Sequence, residues 1–125
     1  KQLGRFDVKY ASLNDPAGAL SGGNLQKAIV AREIYRSPEV LFAAQPSRGV
    51  DIGATMFIHK KLVEMRDAGK AVLLISSELS EIMSLSDRIL VMYNGSIVGE
   101  TTPQQSTEED IGLMMAGIAK EASRQ

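Results

Sequence analysis

Apolar positions along the chain change their rhythm several times, and each change marks an element. From Ser21 to Tyr35 the residues Leu25, Ala28, Ile29 and Ile34 recur at helical spacing between Gln26, Lys27, Arg32 and Glu33. That pattern predicts a helix opened by Ser21. Ser37-Pro38 ends it, because the residue before a proline avoids the helical region. Val40 to Ala44 is a short unbroken apolar run, as in a strand buried on both faces of a parallel sheet. Gln45-Pro46-Ser47-Arg48-Gly49 reads as a loop. Asp51 is placed to cap a second helix, which carries Ile58, Leu62 and Met65 on one stripe and runs to about Ala68, with Gly69 as its stop.

The alternation continues downstream. Ala71 to Ile75 is another apolar run, followed by a short helix near Leu79 to Leu85. Ile89 to Met92 is a third run, and Tyr93-Asn94-Gly95-Ser96 makes a hairpin turn into Ile97-Val98-Gly99-Glu100. A last helix is expected from about Thr107 to Lys120, capped by Thr107 with Glu108 and Glu109 in its first turn. Near the start, Phe6 to Tyr10 is one short candidate strand and Asn14 to Gly18 a loop. The order predicts an α/β domain with a mainly parallel sheet, flanking helices and a terminal antiparallel hairpin.

Composition narrows the chemistry. The 125 residues suit one domain. Lys plus Arg number 14 against 15 Asp plus Glu, a formal net charge of -1. Such a balance lacks the basic excess of phosphate-backbone binders, so no nucleic-acid partner is expected. Tyr10, Tyr35 and Tyr93 also lack the spacing of a base-stacking platform. The chain has no cysteine, which excludes disulfides, thiol catalysis and thiolate metal sites, and points to a reducing compartment. The single histidine, His59, reads as a helix-surface residue, and no metal site is expected. The methionines Met56, Met65, Met83, Met92, Met114 and Met115 read as core packing, and Glu78 with Glu81 as a solvated helix face. No apolar run reaches the roughly 20 residues that span a bilayer. No secretory leader pattern opens the chain, and Lys1 in place of Met fits a piece of a longer polypeptide.

The string Leu20-Ser21-Gly22-Gly23-Asn24-Leu25-Gln26-Lys27 carries the most chemistry. A helix N-terminus presents unpaired N–H groups and partial positive charge, and glycines let an anion approach them closely. Taken alone, Ser-Gly-Gly reads more readily as an ordinary serine cap, because caps of this kind are common. It does not stand alone. It is followed by Ala31-Arg32-Glu33, Ser37-Pro38-Glu39, the run Val40 to Ala44, Pro46-Ser47-Arg48-Gly49-Val50-Asp51, and Val72 to Leu79. In this order the landmarks resemble those of ABC-type ATPases over nearly the whole chain. The Leu-Ser-Gly-Gly-Asn form with Arg-Gly-Val-Asp is similar to the branch that imports simple sugars and nucleosides, and Ala-Ala-Gln-Pro to the second nucleotide-binding half of its nucleoside type.

The resemblance implies a partial P-loop NTPase fold, with residues 1–36 ending a helical subdomain and 37–125 forming the C-terminal part of the ATPase core. It also exposes departures. The phosphate-cradling Gly-x-x-x-x-Gly-Lys-Ser/Thr loop is missing: Gly18 to Gly23 has the glycine spacing but Asn24 follows, and after Gly112 to Gly117 comes Ile118. The family's Asp and Glu at the strand end are Ala44 and Gln45 here, and Ser77 replaces a phosphate-contacting histidine. A methyl cannot help hold Mg²⁺, and a neutral amide cannot take a proton. Three coordinated losses fit a naturally degenerate site better than one engineered Glu-to-Gln change. The dimer of this family is head-to-tail. The resemblance therefore implies that Ser21, Gly22, Gly23 and Asn24 serve ATP held by a second nucleotide-binding half, with Arg48 and Asp51 at the interface. ATP and Mg²⁺ belong to the intact assembly, with neither expected on this stretch alone. Permease subunits at the cytoplasmic membrane face are the other implied partners, and the stretch alone is expected to be inactive and to self-associate through an uncovered sheet. The alternatives are a non-catalytic dimerisation or regulatory module of the same fold, or a non-transport ABC ATPase.

Overall fold

The fold is that of a computed structural model, which describes residues 8–9, 11–12, 14 and 16–118. The candidate strand at 6–10 lies outside these residues apart from Val8 and Lys9, which are not in a strand. A 3-10 turn at Ala17–Ala19 leads to α1 (Gly22–Tyr35), β1 (Val40–Ala44), α2 (Ile52–Asp67) and β2 (Ala71–Ile75). Then follow α3 (Leu79–Leu85), β3 (Ile89–Tyr93), β4 (Ser96–Thr101) and α4 (Glu108–Met115). The chain divides into two compact units, one ending at Ile75 and one beginning at Ser76.

In the first unit β1 and β2 pair in parallel, from Val40 opposite Ala71 to Ala44 opposite Ile75. The N–H of Gln45 extends the ladder by donating to the Ile75 carbonyl at 2.7 Å. Between the strands α2 buries Ala54, Ile58, Leu62 and Met65, the expected stripe with Ala54 added. It stops as the sequence predicts. Gly69 takes φ +81°, and the N–H groups of Gly69 and Lys70 donate to the carbonyls of Arg66 and Met65.

Two expectations fail in this unit. The stripe of α1 departs from the expected set at Ile29, which is exposed, while Leu25, Ala28 and Ile34 are half-buried and the fully buried positions are Gly23 and Ala31. Small residues let α1 approach α2 closely, and the Lys27 ammonium on α1 lies 5.1 Å from the Phe57 ring centre on α2. The strands are not buried on both faces either. Leu41, Ala43, Val72 and Leu74 are covered, but Val40, Phe42, Leu73 and Ile75 are exposed, Phe42 by 69%. A parallel sheet needs a layer on each face, and the first unit supplies one.

The second unit is an antiparallel hairpin with two helices. Asn94 (φ 48°) and Gly95 (φ 79°) close it in the left-handed pair that Asn-Gly favours. A register shift between Val91 and Met92 marks a bulge. Ile89, Val91 and Ile111 form the core, with Leu79, Ile82, Met83 and Met114 against it. Helix α4 opens on a capping box, the Thr107 hydroxyl accepting from the Asp110 N–H and the Asp110 carboxylate accepting from the Thr107 N–H. It ends at Met115 rather than near Lys120, because Gly117 (φ 76°) and Ile118 turn their N–H groups back to Met114 and Leu113.

Some side-chain expectations also change. Met56, Met92 and Met115 are exposed, not core. Met56 lies about half a turn round α2 from Ala54 and Ile58, and Met92 alternates with buried Val91. Glu81 is buried at 4% exposure rather than solvated, whereas Glu78 is exposed. His59 is half-buried on α2.

Candidate functional site

Ser21 is the N-cap of α1, with extended backbone. Its Oγ accepts from the Asn24 backbone N–H at 3.3 Å and from Asn24 Nδ2 at 3.0 Å. Two accepted bonds fill the hydroxyl's acceptor sites and leave its proton to be donated elsewhere. The other end of the Asn24 amide is also occupied, Oδ1 accepting from the Lys9 N–H at 3.1 Å. Asn24 thus holds and aims Ser21. Ser21 and Gly22 are exposed, and Gly23 is buried. The N–H groups of Gly22 and Gly23 lie in the first helical turn, where no intrahelical acceptor exists.

The loop between β1 and α2 packs beneath this tip. A Cβ placed on Gly22 would stand 3.9 Å from the Gly49 carbonyl oxygen. One on Gly23 would stand 2.8 Å from Asp51 Oδ2 and 3.2 Å from Ala54 Cβ. A side chain at Gly23 would require the Asp51 carboxylate to move and Ala54 to give by a few tenths of an ångström. Asp51 caps α2 through Oδ1, which accepts from the Ala54 N–H at 2.9 Å. Its carboxyl is held below the usual value of 3.8, first by that bond, further by the N–H groups of Asp51 and Gly53 and by Lys27, against an opposing effect of burial.

Gln26 reaches across as well, Nε2 donating to the Pro46 carbonyl at 2.8 Å. No local signal in the sequence marks this contact, because the two residues are distant along the chain. The contact explains why a glutamine stands in a turn that packs against the loop.

The strand end has different chemistry. Ala44 is exposed and Gln45 half-buried, with Gln45 in the left-handed region at φ 48°. Arg48 is exposed in the following turn, its N–H donating to the Gln45 carbonyl at 3.2 Å. Ser77 is exposed and belongs to the second unit. Among the described residues no cluster of three His, Cys, Asp or Glu could hold a metal ion. The residues at the strand end do not fit a resident Mg²⁺: a methyl and one amide replace the oxygen-rich set it demands. The α1 tip does fit one side of an anion, through a hydroxyl and backbone donors.

Solved structures share this fold. A bacterial ABC transporter cassette, solved as a dimer, superposes with a TM-score of 0.71 at 22% identity, over 81% of this chain and 44% of its own. An ATP-binding cassette of an ABC transporter in its ADP conformation gives a TM-score of 0.65 at 28% identity, over 91% of this chain and 43% of its own. Guanosine import ATP-binding protein NupO of Bacillus subtilis is 58% identical over 120 residues, which is 95% of this chain and 24% of that protein. The chain is a homologue of ABC import ATP-binding proteins. Nucleoside import ATP-binding protein NupA of Lactococcus lactis subsp. cremoris is 52% identical over 112 residues, 90% of this chain and 22% of its own length. Ribose import ATP-binding protein RbsA of Rhodococcus jostii is 40% identical over 119 residues, 95% of this chain and 23% of its own. The chain spans about a quarter of the length of these ABC import relatives. No family model matches it. The α/β fold, a parallel sheet with flanking helices, is that of ABC ATPase cassettes.

Proposed function

We propose that this chain is part of the ATP-binding subunit of an ABC importer for nucleosides or simple sugars, and that it serves ATP held by a second nucleotide-binding half. Ser21 donates its hydroxyl proton, and Gly22 and Gly23 their N–H groups, to the terminal phosphate. Asn24 keeps the hydroxyl aimed, and Arg48 and Asp51 lie at the junction of the halves. The chain's own strand end, with Ala44, Gln45 and the later Ser77, performs no hydrolysis. Residues 1–36 end a helical subdomain, and 37–125 belong to the ATPase core. The parent protein hydrolyses ATP with Mg²⁺ and works at the cytoplasmic face of the membrane, bound to permease subunits. Among the described residues no helix is long and apolar enough to cross a membrane, which suits a peripheral subunit.

The observation that carries this reading is the exposure of Ser21 and Gly22 on a tip whose supporting strand end has no acids. The test is ATP hydrolysis by the full-length protein assembled with its permease. Ser21→Arg should remove most of the activity; an unchanged rate would leave a non-catalytic module of the same fold. The chain by itself should show no heat on titration with ATP and Mg²⁺, and a micromolar affinity would contradict the inert strand end.

A further inference from the structure

Three contacts from the β1–α2 loop and the start of α2 converge on the first turn and a half of α1. The Gly49 carbonyl lies under Gly22, and Asp51 and Ala54 lie against Gly23. The first is ordinary contact distance and the second a close approach, and neither is directional. The third is directional: Gln26 Nε2 donates to the Pro46 carbonyl at 2.8 Å. Pro46 is buried, so its carbonyl has a strong demand for a donor. One residue earlier, Gln45 is locked to β2 by its N–H bond to the Ile75 carbonyl. A continuous path of short contacts therefore runs from the β1–β2 ladder through Gln45 and Pro46 to Gln26 and the α1 tip.

We propose that Gln26 is a positioning residue, which fastens the tip Ser21–Gly23 to the end of β1, so that this strand end acts as a mount rather than a reaction centre. The phosphate-facing role of the tip rests on the function proposed above; the fastening itself does not. Without the Gln26 bond, the loop can still push the tip but cannot pull it.

The experiment uses the full-length protein with Gln26→Met, which keeps the reach and removes the donor, and Gln26→Lys, which restores a donor. Gln26→Glu, an isosteric loss of the donor, replaces Gln26→Met if that variant does not fold. Amide hydrogen exchange should be roughly three- to tenfold faster in Gln26→Met, at Gly23–Leu25 and at 47–50 together, the range expected for one lost hydrogen bond. The last turn of α1 should be unchanged. Gln26→Lys should return both segments to within about twofold of the starting protein. In the assembled protein the maximal ATPase rate should fall by a similar factor with KM for ATP unchanged, because the tip acts on nucleotide already bound. Unchanged exchange in the donor-free variant, or a Lys variant as fast as Met, overturns the fastening. An unaffected rate in Gln26→Met alongside an inactive Ser21→Arg overturns the positioning role. If Ser21→Arg is also fully active, the proposed function fails while the exchange data still decide the fastening.

Discussion

The tip of α1 and the end of β1 lie in one unit and touch the same loop, yet their chemistry differs in kind. At the tip, the donors are a serine hydroxyl and backbone N–H groups, which exist because a helix starts there. At the strand end the side chains of Ala44 and Gln45 are a methyl and a neutral amide, with no carboxylate between them. A function built from backbone survives sequence change as long as the fold does. Under the proposed function, side-chain chemistry at the strand end is lost through two residues, while β1 keeps its register with β2.

The comparison can be broken most directly at the tip. Ser21→Arg should lower ATP hydrolysis by the assembled protein about a hundredfold, in line with loss of preorganised donors at a developing charge. The same substitution at exposed Arg48's neighbour Ser47, Ser47→Arg, should cost far less; equal losses would mean that bulk near the loop, not the tip, matters. Next in size is the bare sheet face. The chain alone is expected to self-associate in light scattering, and Phe42→Lys should abolish that, since a charge on an open strand blocks edge and face pairing. Persistent aggregates would place the sticky surface elsewhere.

Gly23→Val tests the packing that supports the tip. With 2.8 Å to Asp51 Oδ2 and 3.2 Å to Ala54 Cβ, added methyl groups must separate α1 from α2. A stability loss of about 1–3 kcal/mol in urea unfolding is expected. At the strand end the sign reverses. Gln45→Gly should stabilise by about 1 kcal/mol, because a left-handed backbone costs a side-chain-bearing residue that much. Loss of stability there would show that the Gln45 side chain is needed.

The smallest effect is a pH dependence. The folded state lowers the Asp51 pKa below 3.8, so ionised Asp51 favours folding. This contribution is complete above the unfolded value and is lost as pH falls through the lower folded value. Asp51→Asn, which can still cap α2, should flatten that part of the acid unfolding curve. A curve of unchanged shape would assign the acid response to other carboxylates.

Local rules were legible in the sequence where the decisive partner was near in the chain. Ser21, Asp51 and Thr107 cap the helices expected of them, and β1, β2 and α3 begin and end at the expected residues. Asn94-Gly95 likewise makes its turn. What escaped depends on distant partners. The Gln26 bond to Pro46 and the close approach of Gly23 to Asp51 arise only after α1 and α2 pack. Burial of Glu81 is not marked in its local pattern, and exposure of Val40 and Phe42 depends on a layer the first unit does not provide. The end of α4 was a missed local signal, since Gly117 marks it as Gly69 marks α2. The α1 tip was legible as a motif, but its aimed hydroxyl required the Asn24 geometry.

The Asn94-Gly95 hairpin has a kinetic consequence. Its two strands are joined by a two-residue turn, whereas β1 and β2 are separated in sequence by the whole of α2. Short closures form in microseconds and long parallel pairings are slower, so the C-terminal unit is expected to acquire structure first during refolding. Time-resolved hydrogen labelling would then show Val91 shielded from solvent before Phe42.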